Sequence, residues 1–384
     1  MSTAGLFYKK KVPYYRGTRR ISLHPPYNYI NCTMTSSENK HNSNSTKPDT
    51  DPRLALLLNW ITTLSEFSLQ PSTIRPASND ASFRRYFRID DATGQSFILM
   101  DAPPPQEDVR PFMEIAQLLE ATGVTVPHIF ASQIEQGFLL LSDLGSVMYA
   151  HLLNQDTAQK LYMDAIAALV QIQSHSLPEV LPEYDRAMQM KELQIFPEWY
   201  LGKHLGVTLS AAQQASLDKV FEQILANTMA QPQVYVHRDY HSRKLMVMKE
   251  GNPGIIDFQG ALYGPITYDI VSLLRDAYIE WDEEQVLDWA IRYWERARHA
   301  GLPVSTDIDS FYRDFEFMGL QRHLKILGIF CRLAYRDGKQ NYLADLPLVL
   351  SYVRKTAQRY NTLIPLLRLL DELEDKAPVI GYTF

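Results

Sequence analysis

The sequence predicts an α+β fold in two lobes, a small β-sheet with one helix followed by a large helical lobe. Three observations carry that expectation. Short β-type runs with turn signals crowd into residues 83–142, helical periodicity dominates after Gly145, and a β-rich island at 233–263 interrupts it. The boundaries read as a polar, basic extension over 1–50, a first lobe over 51–145 and a second over 146–384. With 384 residues, 46% of them hydrophobic and 11% aromatic, the chain buries a sizeable core without disulfides or metals.

Each element follows from a local pattern. Asp51-Pro52 is an N-cap with proline at the first helical position, and Leu54, Leu57, Leu58 and Ile61 supply the apolar stripe. Runs at 83–89 and 96–100 alternate as strands around the turn Asp91-Ala92-Thr93-Gly94. A helix beginning near Pro111 carries Phe112, Ile115, Ala116 and Leu119 on one face and ends before Gly123. Strands at 128–134 and 138–142 turn at Gln136-Gly137. Helical stretches then cover 156–173, 210–228, 283–299, 308–335 and 344–373. Trp281, Trp289, Trp294 and Tyr293 sit at helical spacings and read as core in preference to a sugar-stacking platform.

The charge is uneven. Residues 1–50 carry a net +6 and residues 51–384 a net −12, within −6 overall. So acidic a body is a poor general binder of nucleic acid or anionic membrane. No apolar run reaches the roughly 18–20 residues that span a bilayer. Two cysteines, Cys32 and Cys331, fit a reducing compartment, so the expected location is the cytoplasm. The first 50 residues lack apolar periodicity and read as disordered, and a start at Met34 is the preferred reading over a targeting segment.

The chemistry concentrates at 235–269. An apolar strand delivers His237-Arg238-Asp239 into a loop, a short strand returns at Leu245-Met246-Val247, and Ile255-Ile256 leads into Asp257-Phe258-Gln259. Two carboxylates on neighbouring strand ends suit phosphoryl transfer. One carboxylate accepts the incoming hydroxyl proton, and the other holds magnesium against the phosphates.

His237, Arg238, Asp239 and Asp257 match in type and order the kinase catalytic loop and its downstream metal aspartate. The continuation Gly264-Pro265-Ile266-Thr267-Tyr268-Asp269-Ile270 resembles the aminoglycoside phosphotransferase and choline kinase-like family; the A-P-E of protein kinases is absent. That resemblance implies a protein-kinase-like fold, ATP and Mg2+, and a structural aspartate at Asp269 that braces the catalytic loop with His237 and Arg238. An N-cap role for Asp269 is compatible with it.

Within the family the span 51–384 is most similar to the bacterial anomeric sugar kinases of peptidoglycan recycling. The matching residues are Ser82 to Arg88, Met100 to Pro104, Gly137 to Gly145 and His237 to Met246. The resemblance implies transfer to the anomeric hydroxyl of N-acetylmuramate or N-acetylglucosamine. The α-1-phosphate product would then serve a sugar-1-phosphate nucleotidyltransferase.

On the nucleotide side, the loop from Ser78 to Phe83 has no glycine, so hydroxyls of Ser78 and Ser82 and backbone N–H groups are the expected phosphate cradle. The strand Phe97 to Asp101 lacks the phosphate-pairing lysine of protein kinases. Arg84 or Arg88, which share a strand face opposite Arg85, is the substitute, with Glu114 to orient it. A charged edge strand explains the same cluster without a ligand. The resemblance places the purine along Leu141, Ser142 and Asp143. His241 and Arg243 are candidate contacts to the sugar or a phosphate, and the family brings acceptor contacts from around His323 and Lys325.

Position 244 departs from the pattern, with Lys244 where an asparagine ligates the second metal. An ammonium has three donors and no acceptor, so it cannot ligate magnesium. Three outcomes are open: pairing with Asp257 or a phosphate in a one-metal enzyme, pairing with Asp239, or swinging out of the site. Other acceptors, an aminoglycoside or an amino alcohol, are the alternative within the enzyme class. The acidic run Asp276, Glu280, Asp282, Glu283 and Glu284 reads as a solvated helix start and does not decide for a cationic acceptor. A catalytically impaired ATP-binding protein is the alternative outside that class, motivated by Lys244.

Overall fold

Asp51 caps the helix that follows it, as its place before Pro52 predicts. Its carboxylate accepts the backbone N–H of Arg53 at 3.0 Å and of Leu54 at 3.1 Å, capping α1 (Pro52–Ile61). The computed structural model describes residues 51–77 and 83–373. The extension over 1–50, the loop residues Ser78 and Ser82, and residues 374–384 lie outside the described residues.

Five antiparallel strands form the first-lobe sheet: β1 (Arg75–Pro76), β2 (Arg85–Asp90), β3 (Ser96–Asp101), β4 (Ile129–Gln133) and β5 (Phe138–Ser142), in spatial order β1-β2-β3-β5-β4. The β2–β3 hairpin pairs Arg85 with Asp101 and Tyr86 with Met100. Alternation separates the arginines as expected: Arg85 pairs with Asp51 and Asp101, whereas Arg88 reaches Asp143. α2 (Arg110–Ala121) buries Phe112, Ile115, Ala116 and Leu119. The Phe112 ring lies 4.9 Å from that of Phe258, so the first-lobe helix packs directly on the residue after Asp257.

The second lobe is built on helices. After α3 (Tyr149–Leu152) come α4 (Ala158–Ser174), α5 (Arg186–Leu193), a π-helical segment Phe196–His204 and α6 (Ala211–Thr228). Next are β6 (Gln233–Val236), β7 (Leu245–Met246), β8 (Gly254–Ile255) and β9 (Leu262–Pro265), then α7 (Tyr268–Leu274), α8 (Glu283–His299) and α9 (Ile308–Tyr335). The last elements among the described residues are α10 (Leu346–Arg359) and α11 (Ile364–Leu373). The expected single helix over 344–373 is therefore two helices. Pro365 has no N–H to donate back, and Tyr360 turns extended at φ −118° and ψ 119°. α5 escaped the sequence pattern because two of its three buried residues, Gln189 and Glu192, are polar.

A core from Met100, Val109 and Phe112 through Phe258 and Tyr240 to Tyr268, Trp289 and Tyr293 runs continuously from the first lobe into the second. Trp281, Trp289 and Tyr293 are buried core, and Trp289 donates to the Gln159 side-chain oxygen at 2.7 Å. A second cluster joins α6, α9, α10 and α11 around Phe196, Phe221, Leu324 and Val353. Among the described residues no helix is long and apolar enough to cross a membrane.

His323 on α9 is fully buried, stacks on Tyr352 at 4.8 Å and shares a hydrogen bond with the Arg275 carbonyl at 3.0 Å. Burial pushes its imidazole down to about 3. A base with a depressed folded-state pKa contributes fully above the unfolded value of about 6.5 and loses that contribution as pH falls toward the folded value. Urea unfolding of the protein and of His323→Gln at pH 7 and pH 4.5 reads this directly. The wild-type advantage shrinks by about 3 kcal/mol at the lower pH; a pH-independent gap contradicts the neutral buried imidazole.

Candidate active site

The catalytic-loop backbone is held by one buried carboxylate. Asp269, in the first turn of α7, accepts the backbone N–H of His237 at 2.6 Å and of Arg238 at 3.0 Å. Between those amides Arg238 adopts φ +76°, a left-handed conformation that costs a non-glycine residue about 1–3 kcal/mol. Arg322 Nη1 secures the other side by donating to the Arg238 carbonyl at 2.9 Å. Burial pushes the Asp269 carboxyl up to about 7, against the two amides and the Arg322 charge.

β6 and β8, the strands that deliver the two aspartates, are not neighbours in one sheet: β6 pairs with β9 and β7 with β8. The His237 side chain makes the connection. Its Nε2 bonds the Ile256 carbonyl at 3.0 Å and its Nδ1 accepts the Asp239 N–H at 3.2 Å, an assignment that requires a neutral ring. Burial lowers the His237 pKa, consistent with that state. The imidazole thus bonds the Asp239 backbone on one side and, on the other, the carbonyl of the residue before Asp257.

Asp239 itself is exposed, and its backbone carbonyl accepts the His241 N–H at 3.0 Å. The surrounding protein raises its pKa, but the electrostatic pull of His241, Arg322, Lys325 and Arg238 outweighs that effect and holds it below the usual carboxylate range. Asp257 adopts φ +67°. Its Oδ2 meets Lys244 Nζ at 2.6 Å and its Oδ1 accepts Gln259 Nε2 at 2.7 Å. Of the three outcomes open for Lys244, the structure shows the pairing with Asp257. Burial raises the Asp257 pKa, and the Lys244 charge prevails in lowering it.

The first lobe places its residues less as expected. Arg84 pairs at 2.8 Å with Glu107 in the loop before α2, whereas Glu114 is exposed on that helix. Arg88 donates to Asp143 Oδ1 at 2.9 Å and to the Gly145 carbonyl at 3.1 Å, tying the sheet to the segment between the lobes. Leu141 is buried. Tyr86, singled out for no role by the sequence, is raised to about 12 by burial and lies within the fields of Arg84, Asp257 and Lys244. Its alternation with Arg84 and Arg88 was the available signal.

The loop is packed from below by groups that the sequence pattern missed. Asp276, grouped with a solvated acidic run, is 1% exposed and accepts the Ser242 N–H at 3.1 Å. Glu192 on α5 pairs with Arg238 and, at 3.0 Å, with Lys325. Burial raises its carboxyl, but Lys325 and Arg238 bring it down to about 2. His241 is pushed down to about 4 by burial, and the Arg243 guanidinium stacks 3.4 Å above the Tyr278 ring.

Because Glu192 carries the counter-charge of two cations, Glu192→Gln costs about 3–5 kcal/mol in chemical denaturation, the price of breaking a buried ion pair. The exposed Arg186–Glu222 pair is the control, and Glu222→Gln costs about 1 kcal/mol or less. Equal losses contradict the anchoring role of Glu192.

Over residues 73–302 the chain matches the phosphotransferase enzyme family. It is 46% identical over 333 residues to the N-acetylmuramate/N-acetylglucosamine kinase of Neisseria meningitidis serogroup B, covering 85% of this chain and 98% of that one. The fold is similar to that of Plasmodium vivax ethanolamine kinase, with a TM-score of 0.56 at 11% identity over 83% of this chain and 90% of that chain. It is also similar to the amicoumacin kinase hAmiN in complex with AMP-PNP and Ca2+, with a TM-score of 0.54 at 15% identity, covering 87% and 98%. An aspartate braced at the end of a strand, a second aspartate bridged to it and a two-lobed kinase fold agree with these matches: the chain belongs to the phosphotransferase enzyme family.

Proposed function

We propose that the chain transfers the γ-phosphoryl group of ATP to the anomeric hydroxyl of N-acetylmuramate or N-acetylglucosamine, giving the α-1-phosphate. The observation that carries the reading is the pairing of an exposed, ionised Asp239 with Asp257 through His237. The name of the Neisseria relative supports the acceptor class. A sugar-1-phosphate nucleotidyltransferase is the expected consumer of the product, and the cytoplasm, where ATP is made available, the expected location.

In this reading Asp239 accepts a hydrogen bond from the acceptor hydroxyl and takes its proton as the bond to phosphorus forms. A low pKa suits that task, because the transferred group is loosely bonded to both oxygens in the transition state and the proton leaves late. Arg322, Lys325 and Arg238 make the surroundings of Asp239 positive, which favours a neutral or carboxylate-bearing sugar over a polycationic aminoglycoside. Arg84 and Tyr86, which lie within electrostatic reach of each other and, for Tyr86, of Asp257, would meet phosphate oxygens in this reading. Arg88 and Asp143 act on the nucleotide side by fixing the segment after Leu141, along which the purine would lie.

Asp257 is the residue that would hold a divalent cation such as Mg2+. The Gln259 side-chain oxygen, buried and without a hydrogen-bond partner, fits as a neighbouring neutral ligand. Such a cation neutralises charge on the phosphates. Among the described residues no cluster of three or more His, Cys, Asp or Glu could hold a metal, so phosphate oxygens and water would complete the shell. Lys244 does not fit as a ligand.

Coupled ADP release tests the reading, with N-acetylmuramate and N-acetylglucosamine beside kanamycin and choline. Turnover is expected with the amino sugars alone; turnover only with kanamycin or choline overturns the acceptor. Asp239→Asn lowers kcat by about 10^2–10^4 while AMP-PNP affinity stays unchanged. An unchanged kcat removes Asp239 as the base. Asp257→Ala weakens binding of AMP-PNP with Mg2+, and equal affinity removes its metal role.

A further inference from the structure

Residue 244 is fixed from both backbone sides before its side chain is considered. Its N–H donates to the His241 carbonyl at 2.8 Å and its carbonyl accepts the Ile256 N–H at 3.2 Å, which sets it beside the residue that precedes Asp257. From there the ammonium meets Asp257 Oδ2 at 2.6 Å, with the two side chains 21% and 33% exposed. Tyr86 from the first lobe lies within the field of both groups. The lysine therefore carries positive charge into the position where the catalytic-loop pattern puts an oxygen ligand for a second cation.

We propose that the Lys244 ammonium replaces one divalent cation, so that the site works with a single metal held by Asp257 and Gln259. The inference rests on the reading of Asp257 as a cation-holding residue. Two features of the chemistry support it. A carboxylate has about four lone-pair sites, and the bonds from Lys244 and Gln259 use one on each oxygen, leaving Asp257 able to bind a cation. The Gln259 amide is oriented by its own bond to Asp257, which leaves its buried oxygen as an acceptor that no protein donor meets. That atom would suit an oxygen-seeking cation; the ammonium already meets Oδ2 of Asp257.

An asparagine at 244 would restore the missing carbonyl ligand and remove the internal charge in one step. Electron paramagnetic resonance titration of Mn2+ onto the protein saturated with AMP-PNP counts the metals without relying on turnover. One tightly bound Mn2+ per chain is expected for the wild-type protein and two for Lys244→Asn. Two in the wild-type protein, or equal numbers in both, overturns the role given to the lysine. Equilibrium dialysis of AMP-PNP runs in parallel on the same samples. Normal nucleotide binding with equal metal counts defeats the lysine's part alone, whereas absence of nucleotide binding in both proteins defeats the Asp257 reading and this inference with it.

Discussion

The grip of Asp269 on two consecutive amides is the constraint from which the site follows. Without those bonds, Arg238 has no reason to remain at φ +76°, and the loop that carries Asp239 has no fixed exit from β6. The left-handed turn sends the Arg238 side chain inward to Glu192 while Asp239 stays exposed. Neutral His237 then ties that loop to the carbonyl of Ile256, the residue before Asp257. A single buried carboxylate thus converts two short strand pairs into one site.

Electrostatics divides the site into layers. Beneath the loop, Glu192 is matched by Arg238 and Lys325, and Asp276 by the Ser242 amide. These groups are buried and matched, so they position the loop and leave the chemistry to others. At the two aspartates the charges are only partly matched: Asp239 has positive neighbours but is exposed, and Asp257 is bonded by Lys244 and by Gln259, whose buried oxygen has no partner. Partly matched polar groups are what a charged nucleotide and a hydroxyl acceptor require.

Much of this was legible in the chain, and the reasons are physical. Asp51-Pro52 announced a helix start, the 83–142 runs announced a hairpin sheet, and His237-Arg238-Asp239 with Asp257 announced the catalytic loop, because each is a local pattern with a local cause. Long-range pairings were not legible. Glu107 in place of Glu114 opposite Arg84 depends on how a loop folds over the sheet, and Glu192 meets Arg238 across 46 residues. Asp276 looked like surface charge because four acidic residues follow it, although it turns inward to Ser242. The break between α10 and α11 was visible at Pro365 and was overridden by the apolar repeat around it.

The chemical identity of the product bears most directly on what the site does. 31P NMR of a reaction containing ATP, Mg2+ and N-acetylmuramate distinguishes the positions a phosphoryl group can occupy. Transfer directed by Asp239 to the anomeric hydroxyl gives a phosphomonoester resonance coupled to the anomeric proton of the sugar. A resonance coupled to another ring position, or inorganic phosphate as the sole product, contradicts it.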